Sequence, residues 1–237
     1  MMKQYREARE SLEEDTLLLF RLGDFYEMFE KDAERGAALL GITLTKRHDM
    51  PMAGIPSHAA EGYLTKLLNL GHKVAICDQL EPPTLGKLVK RGITRILTPG
   101  TVLEDGQLDG SSNHFLLSFE LDRKGVRASW LDLSTGKFVL GAWENPHDFL
   151  SLLNSLSPKE ILVPEGLASR MESVDLPLSF KDELDRVLGE VTRTERPGFD
   201  FDRRSGAREV MESLGVMNLE GFGLDSEHPA LGPAGAV

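Results

Sequence analysis

The amino-acid sequence predicts an α/β fold built as two mixed α/β domains, the first a mixed sheet flanked by helices. Three observations predict it. Short apolar runs alternate with helical patterns through the first hundred residues; a stretch rich in Gly, Ser and acids then breaks that alternation; and beyond the break three strand-like runs follow one another closely before helix and strand alternate again. A length of 237 residues suits two ordinary domains.

Taken in order, Thr16 to Leu22 reads as a short apolar strand closed by the turn pair Gly23-Asp24. Asp24 is a good helix N-cap, and Phe25, Met28, Phe29, Ala33, Ala37 and Leu40 after it fall at helical spacing, which predicts a helix stopped by Gly41. In that helix Phe25 is a core residue of the first turn; if the helix begins at Tyr26 instead, Phe25 stays in the loop, free to project. Ile42 to Thr45 is the next predicted strand, Met50 to Pro56 a Pro/Gly-rich loop, and His58 to Leu70 a helix. Strands at Lys73 to Cys77 and Ile93 to Leu97 complete the first half.

In the second half the runs His114 to Leu121, Gly125 to Leu133 and Lys137 to Trp143 are separated by breaks short enough for hairpins, so an antiparallel meander is expected. A helix at Asp148 to Leu156 and a fourth strand at Glu160 to Val163 follow, then a mixture of short helical and irregular stretches.

Charge is the feature most hostile to a nucleic-acid role. Lys plus Arg number 27 against 38 Asp plus Glu, a net of −11, and a chain this acidic repels polyanions in bulk. The acidity is uneven. Residues 1–110 carry 14 basic and 17 acidic side chains, net −3, whereas residues 111–237 carry 13 and 21, net −8. Within the first half, the stretch from Thr84 to Val102 holds Lys87, Lys90, Arg91 and Arg95 with no acid, and Lys46-Arg47-His48 forms a second basic cluster.

Several chemistries lack their residues. The fragment Gly86-Lys87-Leu88 has neither the upstream glycine nor the hydroxyl of a P-loop, and no G-x-G-x-x-G follows a strand. The single cysteine, Cys77, reads as a small buried hydrophobe, and the six histidines have no metal-ligand spacing. Asp132 is the one nuclease-like carboxylate; two-metal chemistry needs several, so a turn-forming acid before Ser134-Thr135-Gly136 is the expectation. No run approaches the ~20 apolar residues of a membrane-spanning helix.

The segment Arg21-Leu22-Gly23-Asp24-Phe25-Tyr26-Glu27-Met28-Phe29 closely resembles the N-terminal region of the MutS family of DNA mismatch repair proteins. So do Ile42 to Arg47, Pro51 to Pro56 with His58-Ala59, Gly62-Tyr63-Leu64, Val74 to Cys77 with Gln79, and Val89-Lys90-Arg91 leading to Thr98-Pro99-Gly100-Thr101. Further on, Asp132 to Gly136 and Leu219 to Leu224 resemble that family's connector domain.

The resemblance implies a mismatch-recognition domain over residues 1–103, a linker over 104–113, an RNase H-like connector over 114–225 and the start of a lever helix over 226–237, the whole being a fragment of a longer protein. It implies that Phe25 is a wedge stacking on a mispaired or unpaired base in double-stranded DNA. Glu27 would hydrogen-bond that base, and Lys46, Arg47, Lys90 and Arg91 would contact the DNA backbone. Physically this is coherent: a ring driven into the minor groove kinks the duplex at a cost smallest where pairing is already defective.

Also implied are a bacterial, cytoplasmic, nucleoid-associated protein, homodimeric at full length, with a MutL-type partner and a sliding clamp. ATP and Mg would serve the full-length protein and no cofactor this fragment, which is not itself an enzyme. A nuclease-like or protein-interaction module on the second domain is the alternative. Three departures from the family pattern stand out: the short His48-Asp49-Met50 loop, Ser57 where an aromatic commonly stands, and Gly92 where an acid commonly follows the arginine.

Overall fold

A computed structural model describes residues 1–81, 89–101 and 113–237 of the chain, so Lys87 and nearly all of the linker expected at 104–113 lie outside the described residues. The chain divides into two compact units, Met1–Val102 and Leu103–Val237.

The first unit is a six-stranded mixed sheet, order β3-β4-β2-β1-β5-β6. Helix α1 (Met2–Glu10) precedes β1 (Leu17–Leu22), which turns through Gly23-Asp24 into β2 (Phe25–Phe29). Helix α2 (Glu30–Leu40), β3 (Thr45–Arg47), β4 (Met50–Pro56), α3 (Ala60–Asn69), β5 (Val74–Gln79) and β6 (Arg91–Leu97) follow.

Three sequence expectations are corrected here. Phe25 to Phe29 is a strand, and the helix starts only at Glu30. Asp24 is therefore no N-cap; its carbonyl accepts the Ser57 N–H at 2.8 Å and pins the hairpin turn to the start of the next segment. The helical spacing is real from Phe29 onward, but Tyr26 and Met28 are buried at a period of two while Phe25 is exposed. Met50 to Pro56 is also a strand, with Pro51 and Pro56 near its ends where a missing N–H is tolerated. The predicted strand at 42–45 shifts to Thr45–Arg47, joined to β4 by a two-residue turn in which His48 and Asp49 both have positive φ (48° and 66°).

One sheet face packs on α2 and α3 through Leu17, Leu19, Tyr26, Met28, Ile55, Leu67 and Ile76. The other packs on α1 through Tyr5, Leu18, Phe20, Phe29, Ala75 and Cys77. Tyr5 is the bolt. Its ring meets Phe20 and Phe29 edge-on, with centroids 5.7 and 5.0 Å away, and its hydroxyl donates to the Phe29 carbonyl at 3.0 Å and to Asp32 at 3.2 Å.

The second unit is a five-stranded sheet, order β11-β10-β7-β8-β9. The expected meander is present: β7 (Phe115–Asp122), β8 (Gly125–Asp132) and β9 (Lys137–Trp143) pair antiparallel in succession. Strands β10 (Glu160–Pro164) and β11 (Thr192–Arg196) add parallel on the other side of β7, with α4 (Pro146–Leu156), α5 (Leu167–Ser173) and α6 (Leu178–Glu190) between the strands. Strand β11 was not expected from its charged, exposed sequence TRTER. Numbered within the unit the order is 5-4-1-2-3, with strand 2 antiparallel to the other four.

Helices α7 (Arg203–Leu214) and α8 (Leu231–Ala236) cover the face opposite α4 and α6. The two approach so closely that a Cβ on Gly206 would stand 1.9 Å from the Leu231 carbonyl oxygen, so glycine is required there. The segment expected to open a lever helix is thus, from Leu231 to Ala236, packed on α7.

Candidate nucleic-acid interface

Strand pairing decides which of the singled-out residues can act together. Cross-strand partners share a face. Phe25 is opposite Leu22 on β1 and Pro56 on β4; Glu27 is opposite Phe20 and Gly54. Phe25 and Glu27 therefore lie on the face that carries α1, Phe25 next to the β1–β2 hairpin and Glu27 beside Phe20, one of the rings Tyr5 meets. Phe25 is 47% exposed, the behaviour of a ring with no core to enter.

Glu27 sits differently. Its side chain is only 19% exposed, and Oε2 is enclosed without accepting a hydrogen bond. Burial pushes its carboxyl above the usual carboxylate range, and the nearby Arg47 guanidinium pulls it partly back. Arg47 Nη1 lies 3.8 Å from Glu27 Oε2. A Cβ on Gly54 would stand 3.4 Å from the Tyr26 carbonyl oxygen and 3.5 Å from Glu27 Cγ, ordinary van der Waals contacts.

Arg47 faces Met50 across the β3–β4 ribbon, and Met50 is two positions from Met52, the partner of Phe29. Arg47 thus belongs to the face of Phe25 and Glu27. Lys46 pairs with Pro51, on the alternate set, and projects from the opposite face. Sequence adjacency suggested one basic cluster; the pleat splits it.

Arg91 also lies on the Phe25 face, but two of its donors are engaged. Nε donates to the Arg21 carbonyl at 2.7 Å, Nη1 to the Val89 carbonyl at 3.0 Å, and the guanidinium stacks 5.5 Å from the Phe20 ring centre. It spans β5 and fastens β6 to the end of β1 that leads into the hairpin. Lys90, just outside β6, is exposed.

Behind the hairpin is a support that the sequence reading missed. Tyr26 donates its hydroxyl to Asp78 Oδ1 at 2.8 Å, Thr94 donates to Asp78 Oδ2 at 2.9 Å, and the Arg21 guanidinium sits 5.1 Å from the Tyr26 ring centre. Arg21 also donates from Nε to the Gly23 carbonyl at 2.6 Å, inside the turn. The available signal was the period-two order of FYEMF, which a helical reading of the same residues hid.

In the second unit Asp132 caps its hairpin. Oδ1 accepts from the Ser134 N–H and hydroxyl (3.1 and 2.7 Å) and from the His114 N–H (3.1 Å), and Oδ2 accepts from the Thr135 hydroxyl (2.9 Å). Burial alone would raise this carboxyl, but the donors from Ser134, His114 and Thr135 outweigh it and hold it below its ordinary range. Among the described residues no three His, Cys, Asp or Glu side chains converge as a metal site would need. Cys77 is buried, and desolvation pushes its thiol up to about 11.

Comparison with known families matches the two units separately. The family model for MutS domain I covers residues 1–106, and that for MutS domain II covers residues 114–237. The chain belongs to the MutS family. It is 41% identical to the DNA mismatch repair protein MutS of Parabacteroides distasonis over 239 aligned positions, covering 98% of this chain and 26% of that protein. Against the proteins of the same name from Myxococcus xanthus and Symbiobacterium thermophilum the identities are 38% and 41%, over the whole of this chain. The chain thus spans about a quarter of the length of the curated MutS relatives it matches. No helix among the described residues is long and apolar enough to cross a membrane.

Proposed function

We propose that this MutS segment carries the mismatch-recognition and connector parts of a DNA mismatch repair protein. The first unit engages mispaired or unpaired bases in double-stranded DNA. Phe25 wedges into the minor groove and stacks on the defective step; Glu27 hydrogen-bonds the displaced base; Arg47 holds a phosphate. One observation supports this above the rest: an exposed aromatic ring stands two residues from an enclosed carboxylate oxygen that accepts no hydrogen bond, on the one strand face where both can be presented together.

The chemistry of Glu27 fits a reader of damaged pairing. Ionised, it repels the backbone and can only accept; protonated, it can donate to a ring nitrogen, and the negative field of DNA favours that proton. Burial already biases it toward the protonated form. Lower pH therefore strengthens mismatch binding, and Glu27→Gln removes that dependence and raises affinity for matched duplex.

Arg91 supports the hairpin more than it contacts DNA, because both of the donors described above are spent on carbonyls. Lys90 remains an outer candidate for long-range attraction, whereas Lys46 projects from the opposite face and stays off the duplex. The second unit serves as a connector, and Asp132 there is a hairpin cap with no nuclease role. Homodimerisation, a MutL-type partner, a sliding clamp and ATP with Mg belong to the full-length protein, acting in the bacterial cytoplasm on the nucleoid.

The deciding experiment measures binding of the full-length protein to matched duplex and to a duplex with one mismatch, with and without Phe25→Ala. Loss of most of the discrimination is expected. Undiminished discrimination overturns the assignment.

A further inference from the structure

Glu27 and Arg47 are placed to be more than two independent contacts. Around the Glu27 carboxyl, β1 contributes Phe20 and β4 contributes Gly54, neither of which carries charge. The only charged group described against it is Arg47, at 3.8 Å from Oε2. That distance is an ion pair without a hydrogen bond, and Arg47 is 45% exposed on an edge strand. Its guanidinium therefore has donors free to turn toward solvent, whereas the enclosed Glu27 oxygen accepts no hydrogen bond among the described residues.

We propose that Arg47 serves as the counterion of Glu27 in the free protein and moves to a phosphate when duplex DNA arrives, releasing the Glu27 carboxyl for the base. The exchange rests on the reading of Phe25 and Glu27 given above. It leaves Glu27 without a partner at the moment the base is tested. A mispaired base supplies the missing hydrogen bond and a matched stack does not, so withdrawal of one cation turns the same carboxyl from a neutralised group into a penalty on matched DNA. A lysine keeps the exchange, since it carries the charge.

The test is a double-mutant cycle in the full-length protein, reading dissociation constants for matched and single-mismatch duplexes by fluorescence anisotropy. The variants are Arg47→Met, Glu27→Gln and their combination, with Arg47→Lys as the charge-retaining control. With Glu27 present, Arg47→Met weakens matched and mismatched duplexes alike, because the free state is common to both, and the loss is about two- to fivefold smaller than in the Glu27→Gln background, where no ion pair is given up on binding. In the Glu27→Gln background the same change costs both duplexes the whole phosphate contact, and Arg47→Lys stays near the parent affinity for both. An equal loss of affinity on Arg47→Met in both backgrounds overturns the exchange. That failure is distinct from failure of the site itself, which appears as discrimination surviving Phe25→Ala. Arg47 is exposed, and circular dichroism of each variant confirms that the fold is intact.

Discussion

Tyr26 donates its hydroxyl to Asp78 Oδ1 at 2.8 Å, linking β2 to β5 across the intervening β1. This bond holds one face of the hairpin strand inward, and the pleat then leaves Phe25 and Glu27, on either side of Tyr26, no choice but to face outward. Desolvation first, and then the Asp78 bond, raise the Tyr26 phenol above its ordinary range, so it remains a donor under all usual conditions. Tyr26→Phe should destabilise the first unit by ~1 kcal/mol, the net worth of one such bond. The three tyrosines of the chain, Tyr5, Tyr26 and Tyr63, all lie in that unit. Urea denaturation of the segment followed by tyrosine fluorescence checks the prediction.

Phe25 and Phe29 make a paired test of exposure. Phe29 is fully buried against Tyr5, whereas Phe25 is about half exposed. Phe29→Ala should cost ~3–5 kcal/mol of stability, and Phe25→Ala should stay within ~0.5 kcal/mol of the parent. A large loss of stability in Phe25→Ala would mean that its effect on DNA binding reflects folding and not recognition.

Lys46 and Arg47 are adjacent in sequence and opposed in space. Arg47→Ala should flatten the dependence of log binding constant on log salt by ~1 unit, while Lys46→Ala leaves the slope within error. Titration of the full-length protein against one duplex at several salt concentrations measures both. Equal slopes for the two variants would place both side chains at the phosphates.

Glu120 gives the second unit a pH-dependent stability. Burial is the main cause pushing its carboxyl up to about 7, with Arg170 pulling down and Asp122 adding to the rise. A carboxyl raised in the folded state contributes stability that is fully present below its unfolded value near 4.5 and is lost as pH rises through about 7. The loss should be about 2 kcal/mol, allowing for the solvent that still reaches the group. Both tryptophans, Trp130 and Trp143, lie in this unit, so their fluorescence reports its unfolding alone. Glu120→Gln should abolish the slope between pH 4.5 and 7 and leave the variant more stable than the parent at pH 8; an unchanged slope would assign it to another group.

Much of this was legible before any coordinates. The meander at 115–143, the helix at 146–156 and the break in composition after residue 103 are local patterns of strand spacing, turn residues and charge, and such patterns depend on neighbours in sequence. The motif around Phe25 and Glu27 was equally visible as a resemblance. Its conformation was not, because Phe25, Phe29 and Ala33 satisfy a helical period as well as FYEMF satisfies a strand period. The choice between them rests on β1 and β4, which flank the segment and supply its ladder partners. The Pro/Gly content of β4 misled for the same reason: only its place beside β2 and β3 shows that the prolines fall where no N–H is needed.

By itself, then, the sequence singled out the candidate residues: one aromatic, one carboxylate two positions on, and a scarce set of cations in an acidic chain. Tertiary structure decided which of them can act together. A side chain's face follows from strand register, and register is set by partners distant in sequence. That is why Arg47 meets Glu27, Lys46 turns away and Arg91 is spent on the carbonyl of Arg21.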